Sequence, residues 1–258
     1  MLDQITPLIL TWNEEANIAR TLEKLRWARE IVVVDSGSTD GTRAMCEALP
    51  NVRMVLRPFD SHAEQWNYGL QETGIASEWV LALDADYVLT DAFVDELRML
   101  VPAPATAAYR MRFRYCVHGR PLSGTLYPPV IGLYRRRAVH YVQEGHTQRA
   151  MVEGEVGELG ACVLHDDRKS LGRWLAAQDR YARLECDLLA ARNWGELRWQ
   201  DRLRKLMFVT PWLVPLYCLT AGKGYRDGWH GLYYAVQRGV AEAVLSLKLM
   251  ERKLRGGR

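Results

Sequence analysis

The run Ile31-Val32-Val33-Val34 constrains this 258-residue chain more than any other feature. A continuous β-branched run without polar alternation marks a strand covered on both faces, as in parallel sheets flanked by helices. It ends in Asp35-Ser36-Gly37-Ser38-Thr39-Asp40-Gly41, a loop of turn formers, and a helix is expected from near Thr42. The same rhythm recurs on either side. Residues 7–11 read as an opening strand, and Ile18, Leu22 and Leu25 then repeat at helical spacing. Glu14 and Glu15 are expected in the first turn of that helix, at the positive end of its dipole. Val52–Leu56 and residues 79–83 are further strands, with a helix over 62–73 between them. Strand–helix alternation at this spacing predicts βαβ units and a mostly parallel, Rossmann-like α/β sheet.

The pattern changes downstream. Arg110, Arg112 and Arg114 alternate with Met111, Phe113 and Tyr115, which predicts a half-exposed strand, and 133–136 is another short one. From residue 168 the chain reads as helical, with Leu171, Trp174, Leu175, Tyr181, Leu188 and Leu189 on one apolar stripe. Charge divides at the same place. Residues 1–167 carry 16 Lys and Arg against 23 Asp and Glu, whereas 168–258 carry 18 against 8. The expected organisation is an acidic ligand-binding body over 1–167 and a basic helical appendage over 168–258 that meets something anionic. The five cysteines are odd in number and never paired as C-x-x-C, which fits a reducing compartment and no zinc site. No basic segment or cleavage pattern precedes the first apolar run, so the expected location is cytoplasmic.

Three polar sites fall where strands of a parallel sheet should end, which is where such sheets hold ligands. They are Thr11-Trp12-Asn13-Glu14, Asp35-Ser36, and Asp84-Ala85-Asp86. A carboxylate at a strand end can accept hydrogen bonds from a base or ribose, and Trp12 can stack on a base. Two carboxylates two residues apart on a turn can share one divalent ion. Hard oxygen donors select Mg²⁺ or Mn²⁺, and such an ion neutralises a diphosphate. Each element alone is common by chance, and the loop at 35–41 alone is more often a polar turn capping a helix. Their order and spacing are far more specific: T-W-N-E-E, then E-I-V-V-V-D-S-G-S-T-D-G-T, then W-V-L-A-L-D-A-D.

In that order the sequence resembles the family-2 glycosyltransferases of the GT-A fold, and within them the branch of lipopolysaccharide-core β-glucosyltransferases. The resemblance is strong over residues 4–100 and looser to about 190. It implies a nucleotide-sugar donor, UDP-linked by expectation, and a glycan or glycolipid acceptor. It implies that Thr11, Trp12, Asn13, Glu14, Asp35 and Ser36 hold the nucleoside, and that Asp84 and Asp86 hold ribose and metal. His165 is expected to complete the metal or diphosphate site. Trp66 stands where an Arg that would reach the diphosphate is common, and Tyr87 where Glu is frequent. The family inverts at the anomeric carbon, so a general base must take the acceptor's proton. Glu144 is the first choice for it, then His146, then Asp166. A polyisoprenyl-phosphate glycosyltransferase and a non-catalytic nucleotide- or glycan-binding protein are the alternatives. A sugar nucleotidyltransferase would need a Gly-rich phosphate loop after the first strand, which Leu10-Thr11-Trp12-Asn13 is not.

The tail adds a separate expectation. Residues 206–221 are almost wholly apolar but contain Pro211 and Pro215, and fall short of the ~20 residues that span a bilayer. Trp212, Tyr217, Tyr225 and Trp229 are aromatics of the headgroup region, and basic residues flank the run. The expected role is peripheral attachment to an anionic membrane surface on its cytoplasmic side; a packed helical subdomain or dimer interface is the competing reading. Nucleic acid is excluded as a partner, because the basic half is interleaved with long apolar runs.

Overall fold

The computed structural model describes residues 1–144 and 147–256. It forms two compact units, Met1–Gly119 with Tyr127–Arg168, and Arg120–Leu126 with Lys169–Arg258.

The first unit is an α/β layer structure. Its elements are β1 (Ile5–Thr11), α1 (Ile18–Glu23), β2 (Ile31–Asp35), α2 (Thr42–Glu47), β3 (Val52–Leu56), α3 (His62–Gln71), β4 (Trp79–Asp84), β5 (Tyr87–Leu89), α4 (Asp91–Met99) and β6 (Thr106–Val117). After the two-residue β7 (Arg120–Pro121) of the second unit come β8 (Val130–Arg135), β9 (Val139–Glu144), β10 (Thr147–Val152) and β11 (Glu155–His165). The main sheet runs β3-β2-β1-β4-β8-β6-β11-β5. The first four strands are mutually parallel, β8 is antiparallel to both neighbours, and β11 returns parallel to β6. β9 and β10 form a separate antiparallel hairpin.

The β-branched run explains the layering. Successive side chains of a strand point to opposite faces. Val33, Ile9, Leu81 and Leu83 therefore meet Ile18, Leu22, Phe93 and Leu97 of α1 and α4. Val32, Val34, Leu8 and Ala82 meet Ala63, Trp66 and Leu70 of α3 on the other face. Burying each such side chain stabilises the fold by about 1.5–3 kcal/mol. Gly69 allows the close approach of α3, because a Cβ there would lie 2.8 Å from a methyl of Leu8.

One local expectation is overturned here. α1 begins only at Ile18 and has no acid in its first turn. Glu14 and Glu15 stay in the preceding loop, where they accept from Asn17 Nδ2 at 2.9 Å and from the Gly41 N–H at 3.1 Å. Arg110, Arg112 and Arg114 do lie on an exposed face of β6, with Arg112 paired to Glu158 across to β11 at 3.0 Å.

The second unit is helical: α5 (Leu171–Ala191), α6 (Trp199–Lys205), α7 (Thr210–Leu219) and α8 (Trp229–Gly256). Ala182, Cys186 and Leu189 of α5 pack with Leu197 and with Leu245 of α8. The apolar stripe expected along α5 is only half buried, since Leu171 and Leu175 are exposed and only its C-terminal end joins this core. An ion-pair network links α5, α6 and α8. Arg204 sits among Glu242 at 2.9 Å and Glu185 and Asp201 at 3.5 Å. All three acids are buried, so removing Arg204 would leave them uncompensated and would be strongly destabilising. Asp227 anchors the 120–126 segment, accepting from the N–H and hydroxyl of Ser123 at 2.8 and 2.7 Å. Among the described residues, no helix is long and apolar enough to cross a membrane.

Candidate active site

The strand register brings the three sequence motifs together. Thr11 is opposite Asp35 across β1 and β2, and Leu10 is opposite Asp84 across β1 and β4. The C-terminal ends of three adjacent parallel strands thus carry Thr11, Asp35 and Asp84 side by side. β1 is the strand from which the order departs in both directions, so this is a topological switch point, where open α/β sheets form a crevice.

The loops after β1 and β2 are stapled into one platform. The buried Asp35 carboxylate, 1% exposed, accepts four hydrogen bonds. The Gly37 and Ser38 N–H groups donate to Oδ1 at 3.0 and 2.7 Å, and the Thr11 and Ser38 hydroxyls to Oδ2 at 2.8 and 2.5 Å. Gly37 has φ +90°, the left-handed conformation that this tight wrap around a carboxylate requires. Ser38 Oγ in turn accepts from the Asn13 N–H at 2.7 Å, and Asn13 Oδ1 accepts from the Thr39 N–H at 2.8 Å. The Glu14 N–H donates to Thr42 Oγ1 at 2.7 Å. Ser36 Oγ is held by Gln65 Nε2 at 2.9 Å, a contact from α3 that sequence reading missed. Trp12 projects from this platform with half its surface exposed.

The acidic turn after β4 is backed by aromatic rings. His165, the last residue of β11, places Nε2 3.2 Å from Asp86 Oδ2. Tyr87, Tyr115 and Tyr127 stand edge-on around its ring, with centroids at 5.3, 5.0 and 4.7 Å. Burial pulls the imidazole pKa down, but the Asp86, Asp84 and Asp167 carboxylates outweigh it and hold it above its ordinary value. Tyr87 is buried, which pushes its phenol well above 10, and Asp84 and Tyr127 add to the shift. It therefore stays a neutral hydroxyl paired with Tyr127 at 3.2 Å.

The donor set at this turn suits a hard divalent cation held jointly with a phosphate ligand. Among the described residues, no group of three or more His, Cys, Asp or Glu side chains is placed to hold a metal ion by itself. A hard cation such as Mg²⁺, which takes one or two carboxylates and fills its sphere from water and phosphate oxygens, would find Asp84 and Asp86 at this turn, with His165 beside Asp86. Among the described residues the buried Nδ1 of His165 has no hydrogen-bond partner, so the ring's one polar contact is directed at Asp86.

The other sequence candidates fall differently. Asp166 is not placed as a base. Its buried carboxylate accepts from the Gly119 N–H at 3.1 Å and from Arg168 Nε at 2.8 Å, with Arg20 at 3.5 Å. Trp66 is buried against Tyr141, stacked at 5.5 Å, and so belongs to the core below the cleft. Glu144 ends β9, whereas His146 lies outside the described residues.

Sequence reading also missed a buried hub, Asn17. Its Nδ2 donates to Glu14 Oε2 and to Asp167 Oδ1, both at 2.9 Å, the latter across 150 residues. Its Oδ1 accepts from the Arg168 N–H at 2.8 Å and from Arg20 at 3.1 Å. A buried Asn with both ends satisfied ties the β1 loop to the segment that follows His165. The signal for it was an unremarkable polar residue before a helix.

The chain is similar to several known proteins. Lipopolysaccharide core biosynthesis glycosyltransferase LpsC of Rhizobium meliloti is 27% identical over 263 residues, covering 96% of this chain and 92% of that one. An uncharacterized glycosyltransferase of Rickettsia bellii is 34% identical over 98 residues, 38% of this chain and 32% of that one. The structure of S. aureus TarS 1-349 with UDP-GlcNAc superposes with a TM-score of 0.51 at 13% identity, covering 99% of this chain and 92% of that one. The family model for glycosyl transferase family 2 matches residues 8–140, more than half of the sequence, and the chain belongs to that family.

Proposed function

We propose that this glycosyltransferase moves a sugar from a UDP-linked donor, with inversion, onto a lipopolysaccharide-core or related lipid-linked glycan. The observation that carries the reading is the alignment of Thr11, Asp35 and Asp84 on the ends of three adjacent parallel strands, with Asp86 and His165 beside them. The likeness to LpsC along nearly the whole chain supports the acceptor class, and the UDP-GlcNAc held by TarS makes a UDP-linked donor the first to test.

In this reading Trp12 stacks on the base and Ser36, Asn13 and Glu14 line the nucleoside. Asp35 acts through the loop it holds, because its oxygens already accept four bonds within the protein. Asp84 accepts from the ribose. Asp86 and His165 would hold Mg²⁺ or Mn²⁺ with the diphosphate, and the ion when bound offsets the charge that develops on the leaving group. The acceptor hydroxyl attacks the anomeric carbon in line as the bond to the diphosphate breaks, and its proton passes to a base, for which Glu144 is the first choice and His146 the second.

A thermal-shift panel of UDP-, GDP- and CMP-sugars, with and without Mn²⁺, tests the donor half, because a ligand that binds only the native state raises its melting temperature. UDP release in the presence of a core oligosaccharide acceptor tests the transfer half. A shift with GDP- or CMP-sugars and none with UDP-sugars would overturn the donor assignment.

A further inference from the structure

The second unit exposes an apolar surface that its own core does not use. On α7, Trp212, Leu213, Leu216 and Tyr217 are all exposed, Trp212 at 80%. Their spacing puts them on one side of the helix, while Cys218 faces inward. On α8, Trp229 at 83%, Leu232, Val236 and Val240 form a second exposed stripe at helical spacing, with Tyr234 and Ala235 buried behind it. The two helices are packed closely: a Cβ at Gly239 would lie 2.6 Å from Pro215 Cγ and 3.2 Å from the Pro211 carbonyl oxygen. Phe208 and Tyr225 extend the exposed surface at either end of α7.

Charge identifies what covers it. Between residues 206 and 241 the sequence contains one acid, Asp227, and that side chain is buried on Ser123. Lys223 and Arg226, both exposed, lie in the turn between α7 and α8. Exposed tryptophans and tyrosines mixed with Lys and Arg, with no exposed acid, match the headgroup region of an anionic bilayer. A second copy is the poorer fit, because a two-fold interface brings this basic patch against the same basic patch, with no exposed acid within it to pair with Lys223 and Arg226. Since among the described residues no helix can cross a membrane, attachment is in the plane of the interface.

We propose that the α7–α8 surface of the second unit docks onto anionic lipid, with Trp212, Leu216 and Trp229 seated among the headgroups and Lys223 and Arg226 on lipid phosphates. This does not depend on the donor or the reaction. The test is co-sedimentation of the full chain with phosphatidylcholine vesicles, with and without phosphatidylglycerol. The expected result is binding only to the anionic vesicles, weakened but not abolished at about 0.5 M salt, where charges are screened within roughly 4 Å. Trp212→Glu with Leu216→Glu should lower partitioning at least about tenfold while leaving the melting temperature unchanged, because both side chains are already exposed. If that variant unfolds, quenching of the parent's tryptophan fluorescence by brominated lipid replaces it. Absence of vesicle binding at low salt, full binding by the double variant, absence of quenching, or a dimer that the double variant abolishes without any vesicle binding would each overturn the proposal.

Discussion

Replacing Asp35 by Asn separates a residue that builds the donor platform from one that touches the donor. The Asn side chain keeps an oxygen for the Gly37 and Ser38 N–H groups, which lie at 3.0 and 2.7 Å from Oδ1. Its amide nitrogen then faces the Thr11 and Ser38 hydroxyls, which at present both donate to Oδ2. Hydrogen bonds to a charged group contribute about 1.5–3 kcal/mol and a stranded buried donor costs about 1–3 kcal/mol. The Thr11 hydroxyl is buried and has nowhere to turn, whereas Ser38 is half-buried and can reach water. The expected loss is about 2–3 kcal/mol, which for a unit of this size corresponds to roughly 4–12 °C in melting temperature. Asp35→Ala removes all four acceptor contacts and should lose more. Donor affinity should fall alongside stability, because Asn13 and Ser36 lose their support through Ser38 and the reshaped loop. Thermal denaturation of the free protein and isothermal titration with UDP-sugar decide the matter together. An Asn variant with unchanged melting temperature and lost donor binding would refute the platform role and make Asp35 a direct ligand.

Asp86→Ala should abolish transfer and the effect of Mn²⁺ on donor-induced thermal shifts while leaving the free protein folded; undiminished turnover in EDTA would contradict the metal assignment. Asn17→Ala leaves Glu14, Asp167 and the Arg168 N–H without their shared partner and should cost about 2–4 kcal/mol in urea denaturation. A change within about 0.5 kcal/mol, the scale of ordinary surface substitutions, would show that the hub is dispensable. Burial pushes the Cys46 and Cys116 thiols up to about 12, so neither should be alkylated by iodoacetamide at pH 8 in the native protein. Unfolded thiols ionise near pH 8.5, so between the two values the native state holds more protons than the unfolded chain. Stability should therefore fall as pH rises through that interval. Native-state labelling of either residue, read by mass spectrometry, would contradict the burial.

The parallel half of the sheet was legible because a strand covered on both faces leaves an unbroken apolar run, as at 31–34. The strand-end polar residues follow such runs, so Thr11, Asp35, Asp84 and Asp86 could be read with them. What was not legible depends on pairing between distant segments. The rings around His165 come from β5, from β6 and from Tyr127, and meet only because β11 inserts between β5 and β6. Asn17 and Asp166 have partners 150 and 146 residues away, and no local pattern marks such partners. Glu14 and Glu15 were misread for the opposite reason: a helix-start pattern was present, but Gly41 and Thr42 at the start of α2 bind that segment before the helix begins. Along α5 the 3.6-residue period was real, yet periodicity does not say how far along a helix its partner extends.

The position of β11 has a consequence for synthesis. β5 is made early, but its pairing partners Val163, Leu164 and His165 emerge more than seventy residues later. Until then Asp86 lacks its histidine and Asn17 lacks Asp167 and Arg168. A ribosome-bound chain ending at residue 140 would carry the whole family match, with Thr11, Asp35 and Asp84 at their strand ends, but with the edge of β6 open. Such a chain should expose the β6 edge to chaperones and to protease, and protection of 109–117 should appear only when residue 165 has cleared the exit tunnel. The contact between Asp86 and His165 is therefore a late event, closed by one strand rather than accumulated along the chain.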